Sequence, residues 1–149
     1  MKKILFVCHG NICRSPMAEY VMKAMVAEAG RSAEFEISSA ATSTEEIGHG
    51  VYPPVRRLLE VAGIDCSAHA ARQMTAADYR HYDLVVAMDG QNIANIRRII
   101  DSDPDGKVCR LLDFTPTPGD IADPWYTRDF GLTWRQVNAG CRALLARMA

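Results

Sequence analysis

The chain has 149 residues, with 17 Lys and Arg against 18 Asp and Glu and a formal charge of −1. That size suits one domain, residues 1–149, around a single core, and the balanced charge argues against nucleic acid or an anionic membrane as partner. Cys8, Cys13, Cys66, Cys109 and Cys141 make neither an even disulfide framework nor a pair at zinc spacing, so no metal or cofactor is expected.

In chain order, residues 3–8 read as a buried strand, a short apolar run ended by Gly10 and Asn11. The basic start and apolar run are too short for a secretory h-region, and no stretch reaches the ~20 apolar residues of a membrane span; the expected location is cytoplasmic. Residues 14–29 read as a helix with Met17, Tyr20, Val21, Ala24 and Met25 on its apolar side, Pro16 in its first turn and Gly30 at its end. Residues 35–39 read as a second strand, 42–54 as a polar loop and 55–62 as a helix stopped by Gly63. Residues 83–88 are apolar after Asp83, as in a parallel strand covered on both faces. A helix at 91–100, a fourth strand at 108–112 and a loop holding 119–126 follow. The last helix, near 130–147, repeats Phe130, Trp134, Val137, Cys141, Leu144 and Met148 every three or four residues. Strands alternating with helices predict an α/β fold: a four-stranded parallel sheet, doubly wound, with ligands bound beyond the carboxyl ends of its strands.

The most informative stretch follows the first strand: Cys8-His9-Gly10-Asn11-Ile12-Cys13-Arg14-Ser15-Pro16. A loop of this length can turn its backbone N–H groups inward around an anion, and the next helix adds the positive end of its dipole. Arg14 can close such a cradle with a bidentate fork on two phosphoryl oxygens, and a cation at a helix start is otherwise disfavoured. Cys8 then lies at the base, where a positive field favours the nucleophilic thiolate. Asn11 is one of the few non-glycine types that tolerates a left-handed turn. Asp123, before Pro124, reads locally as an ordinary turn start, and Asp120 competes with it as an acid. Trp125 and Tyr126 read equally well as core aromatics or as walls of a cleft.

These motifs resemble the low-molecular-weight protein tyrosine phosphatase family, from the Cys-x5-Arg loop at residue 8 to Asp-Pro-Trp-Tyr at 123–126. The resemblance implies hydrolysis of phosphotyrosine monoesters through a cysteinyl-phosphate, with Cys8 as nucleophile, Arg14 binding phosphate within the loop 8–15, and Asp123 as general acid and then base. It implies that Asn11, Ser15, Ser39 and His69 brace the loop, with Ser15 stabilising the sulfur as leaving group. It takes Asp89 as structural, sets His9, Trp125 and Tyr126 along the cleft wall, and pairs Cys8 with Cys13 as a reversible redox couple. Trp125 and His9 depart from the family's usual residues there, which bears on peptide preference and not on the reaction. Ile12 resembles the tyrosine-directed branch; arginine-phosphate relatives carry threonine at that position. The implied partners are a phosphotyrosine protein or peptide and inorganic phosphate as product, with a weak homo-oligomer through the aromatic rim left open.

Rival readings fit less well. An arsenate reductase on the same fold needs two further cysteines close together in mid-chain, and none lies between residues 68 and 100. A noncatalytic phosphate-binding module has no use for Cys8 and Asp123. A nucleotide P-loop ends in Gly-Lys-Ser/Thr, whereas Asn11 follows Gly10 here.

Overall fold

The computed structural model describes residues 1–148. Four parallel strands, β1 (Lys2–Cys8), β2 (Phe35–Ala41), β3 (Leu84–Ala87) and β4 (Val108–Arg110), form one sheet in the order β2-β1-β3-β4. Around it lie α1 (Arg14–Glu28), α2 (Pro53–Val61), α3 (Ala76–His81), α4 (Gly90–Ile100), α5 (Pro124–Thr127) and α6 (Phe130–Arg147).

Strand pleating explains the two layers. Side chains alternate across β1, so Ile4, Phe6 and Cys8 join Met17, Met22, Leu59 and Leu144 on one face. Leu5 and Val7 point the other way, into a smaller cluster with Met74, Tyr79, Val85 and Ile96. Ile4 to Val7 are fully buried, as a central parallel strand requires. Thr133, Val137, Gly140, Cys141 and Leu144 are the buried positions of α6, whereas Phe130, Trp134 and Met148 only flank the core. A side chain at Gly140 has no room there: a Cβ would lie 2.5 Å from Leu111 Cγ.

The chain starts at an interior strand, crosses out to β2, and returns past β1 to β3. That reversal opens a crevice between the carboxyl ends of β1 and β3, where Cys8 and Asp89 emerge.

Several elements differ from the sequence reading. The fourth strand ends at Arg110, because residues 111–114 turn into a short 3₁₀ helix that buries Leu111 and Leu112. The helix α3 went unforeseen; its six residues are too few for an apolar period, and a Thr75–Asp78 capping box starts it. Asp123-Pro124 opens the helical turn α5 within the presumed loop, since proline suits a first helical position.

Candidate active site

Residues 8–15 curl between β1 and α1 around the buried Cys8 sulfur. Asn11 takes the left-handed conformation, φ 61°, that its short polar side chain permits. Its N–H donates to Cys8 Sγ at 3.3 Å. Ser15 Oγ lies 3.0 Å from the same sulfur and accepts from Asn11 Nδ2 at 2.8 Å. A hydroxyl that already accepts has its own proton free, so Ser15 can donate to Cys8. Two donors therefore aim at one buried sulfur.

Asn11 is fully buried and all its polar atoms are engaged. Nδ2 also donates to Ser39 Oγ at 2.9 Å, and Oδ1 accepts from the Arg72 N–H at 3.2 Å. Its carbonyl lies 2.7 Å from His69 Nε2. A carbonyl only accepts, which places a proton on Nε2. The structure thus brings Asn11, Ser15, Ser39 and His69 together around the loop.

One member of this set was not anticipated. Glu19, one turn into α1, is buried and accepts from Ser39 Oγ at 2.5 Å and from Lys23 at 2.5 Å, with His69 Nδ1 4.0 Å away. Sequence reading passes over Glu19 because a glutamate in a helix is ordinarily solvated.

Arg14 is 3 % exposed. Its Nη1 donates to Asp89 Oδ2 at 2.7 Å and to the Ile121 carbonyl at 3.0 Å, and its Nη2 to Asp123 Oδ2 at 3.3 Å. Burial opposes the guanidinium charge, but Cys8, Asp123 and Asp89 outweigh it and hold its pKa above the ordinary value. Asp89 does more than shape a strand end: it orients Arg14 and caps α4 by accepting from the Asn92 N–H at 2.7 Å. From the sequence Asp89 reads only as structural; neither the cap nor the arginine partner 75 positions away is foreseen there.

The two oxygens of Asp123 divide their work. Oδ1 caps α5, accepting from the Trp125 N–H at 3.0 Å, and Oδ2 faces Arg14. The turn-starting aspartate and the cavity-facing acid are therefore the same residue in one geometry. Asp120 is spent elsewhere, on Arg110 Nη1 at 3.1 Å and the Gly90 N–H at 3.0 Å.

A cavity of about 710 Å³ opens above the loop, lined by Cys8, His9, Gly10, Ile12, Cys13 and Arg14 at its base. Asp89, Asp123, Trp125 and Tyr126 line it too. Trp125 is 49 % exposed and Tyr126 82 %, so both belong to the wall and not to the core. Tyr52, unremarked in the sequence, backs Trp125 with ring centroids 5.2 Å apart and accepts from Arg128 Nη2 at 3.3 Å. His9 sits exposed on the rim, 3.0 Å from Glu45. Cys13 is buried in the floor; burial first, then the nearby Cys8 and Asp123, pushes its thiol pKa up to about 12. All five cysteines are free. Among the described residues, no three His, Cys, Asp or Glu side chains gather as metal ligands do, and no helix is long and apolar enough to cross a membrane.

This geometry has close counterparts. The family model for low molecular weight phosphotyrosine protein phosphatase matches residues 3–149. The low molecular weight protein-tyrosine-phosphatase YfkJ of Bacillus subtilis is 34% identical over 148 residues, covering 98% of this chain and 95% of the relative. The human low molecular weight phosphotyrosine protein phosphatase is 36% identical over 157 residues, covering 98% and 95%. The crystal structure of YfkJ superposes with a TM-score of 0.96 over 99% of this chain and 94% of that one, at 33% identity. That of the Streptococcus pyogenes enzyme SP-PTP gives 0.89 over 100% and 94%, at 36% identity. The chain belongs to the low-molecular-weight protein tyrosine phosphatase family.

Proposed function

We propose that this phosphatase runs its family's two-step hydrolysis of phosphotyrosine with Cys8 as nucleophile, Arg14 as phosphate clamp and Asp123 as general acid and base. The observation that carries the assignment is the placement of one buried sulfur under two donors, Ser15 Oγ at 3.0 Å and the Asn11 N–H at 3.3 Å, with Arg14 and Asp123 over the same cavity.

In the first step the thiolate attacks phosphorus in line, the phosphorus–oxygen bond to the phenol breaks, and Asp123 gives the departing oxygen its proton. Arg14 and the inward N–H groups of residues 8–15 meet the charge on the equatorial oxygens. An incoming phosphoryl group takes over Arg14 Nη2 from Asp123, which frees that carboxyl for the leaving oxygen. In the second step the Asp123 carboxylate takes a proton from water, the hydroxide oxygen attacks the cysteinyl-phosphate, and Cys8 departs as thiolate stabilised by the Ser15 hydroxyl. Asn11, Ser39 and His69 hold the loop so that little reorganisation accompanies either step. Trp125, Tyr126 and His9 form the wall against which the phenyl ring rests.

The substrate is a phosphotyrosine protein or peptide, and inorganic phosphate is the product. The five unpaired cysteines favour a reducing, cytoplasmic setting. Cys13 shares the cavity floor with Cys8. After a peroxide oxidises Cys8 to a sulfenic acid, condensation with Cys13 expels water and leaves a disulfide that a thiol can reduce. The exposed aromatic rim is also the face through which weak self-association would occur. We take residues 1–149 as one phosphatase domain.

Phosphate release from a phosphotyrosine peptide in EDTA, beside phosphoserine and phosphoarginine peptides, tests this reading. Turnover of phosphotyrosine alone, abolished in Cys8→Ser, is expected. Preference for phosphoarginine would overturn the tyrosine assignment, and full activity in Cys8→Ser would overturn the nucleophile.

A further inference from the structure

Away from the phosphate end, the cavity has two walls of opposite charge. One is the segment after β2, where Glu45 and Glu46 line it. Each carboxylate faces a histidine, His9 at 3.0 Å and His49 at 2.5 Å. The other wall is α4, whose Gln91, Asn95 and Arg98 share one helical face and line the cavity.

Arg14 and Arg98 are the two Arg or Lys residues among those lining the cavity. Arg14 is buried and bound to Asp89 and Asp123. Arg98 is exposed and its guanidinium, among the described residues, makes neither ion pair nor hydrogen bond. Its charge is locally uncompensated, in a cavity that Glu45 and Glu46 also line.

The helix sets its reach. Asp89 caps α4 at the phosphate end, and Arg98 lies nine residues on, about 13.5 Å along the axis at ~1.5 Å per residue. An extended peptide advances about 3.3 Å per residue, which makes the span about four residues. The long arginine side chain leans back toward the helix N-terminus and shortens it, so the Arg98 head meets side chains about two to four positions from the one that enters the loop.

We propose that Arg98 is a specificity-determining residue that selects phosphotyrosine substrates with an Asp or Glu about two to four positions from the phosphotyrosine. The proposal rests on the phosphotyrosine reading of the site. Glu45 and Glu46 repel the same acid when the peptide runs the other way, so the two walls orient the chain as well as select it.

The test compares kcat/KM for phosphotyrosine peptides bearing a single Glu or a single Lys at each flanking position, beside phenyl phosphate, in wild type, Arg98→Ala and Arg98→Glu. Wild type should favour Glu over Lys about fivefold at one or more positions in that window, the scale open to an exposed charge pair. The preference should shrink at high salt, vanish in Arg98→Ala and invert in Arg98→Glu, with phenyl phosphate turnover unchanged in all three. Equal rates for Glu and Lys in wild type, or a preference that survives both variants, overturns this proposal alone. Failure of wild type to turn over any phosphotyrosine substrate or phenyl phosphate overturns the phosphatase reading and this proposal with it.

Discussion

Two segments face each other across the cavity and are held in opposite ways. The loop at 8–15 is buried, and its Asn11 alone bonds to Cys8, Ser15, Ser39, His69 and Arg72. The segment around α5 is mostly at the surface, fixed by one aspartate cap, the buried Pro124, the Arg14 bond to Asp123 and a few aromatic contacts. A phosphoryl group has one shape in every substrate, so the part that meets it gains from being rigid before binding. Leaving groups and flanking peptides vary, and the part that meets them has few buried contacts to break when it adjusts.

Breaking the chemistry should give the largest effect. Cys8→Ser removes the nucleophile while keeping the hydrogen-bonded frame, and kcat on phenyl phosphates should fall by more than about 10³-fold with the thermal midpoint almost unmoved. Asp123→Asn should come next, since asparagine keeps the cap of α5 but carries no transferable proton. A fall of roughly 10²- to 10³-fold in kcat, with KM little changed, is expected from steady-state rates. A loss confined to KM would remove the surface segment from the proton transfer.

Stability sharpens the contrast. Asn11→Ala strands buried partners on Ser15, Ser39 and the Arg72 N–H and puts alanine at positive φ, at a cost of about 2–4 kcal/mol in denaturant titration.

Alkaline pH probes the same buried floor. The Cys13 thiol is held neutral up to about 12 when folded, against an ordinary 9.0. Between those values the unfolded chain releases a proton that the folded chain keeps. Stability is therefore undiminished by this group below pH 9 and declines as pH rises toward 12; Cys13→Ala should flatten the decline in urea midpoints taken across that window.

Tyr126→Ala should be the mildest change, within about 0.5 kcal/mol in stability, because the ring is exposed. Its mark should be a raised KM for phenyl phosphates, and an unchanged KM would remove Tyr126 from the wall.

Short-range features were legible in the sequence. Cys8, Gly10, Asn11, Arg14 and Ser15 lie within one loop, so their spacing alone implies an anion cradle between a strand and a helix. Apolar runs and helical periods likewise marked the four strands and the long helices, because burial imposes those periods locally. Tertiary structure decided the rest. Glu19 reads as a solvated helix residue until folding sets Ser39 and His69 beside it. Asp89 and Asp123 meet Arg14 across 75 and 109 positions, distances over which no periodic pattern carries information. Arg98 gains its place over the cavity only because α4 starts at the carboxyl end of β3, beside β1. Local chemistry named the loop; the packing of distant strands and helices supplied the carboxylates and walls that turn it into a site.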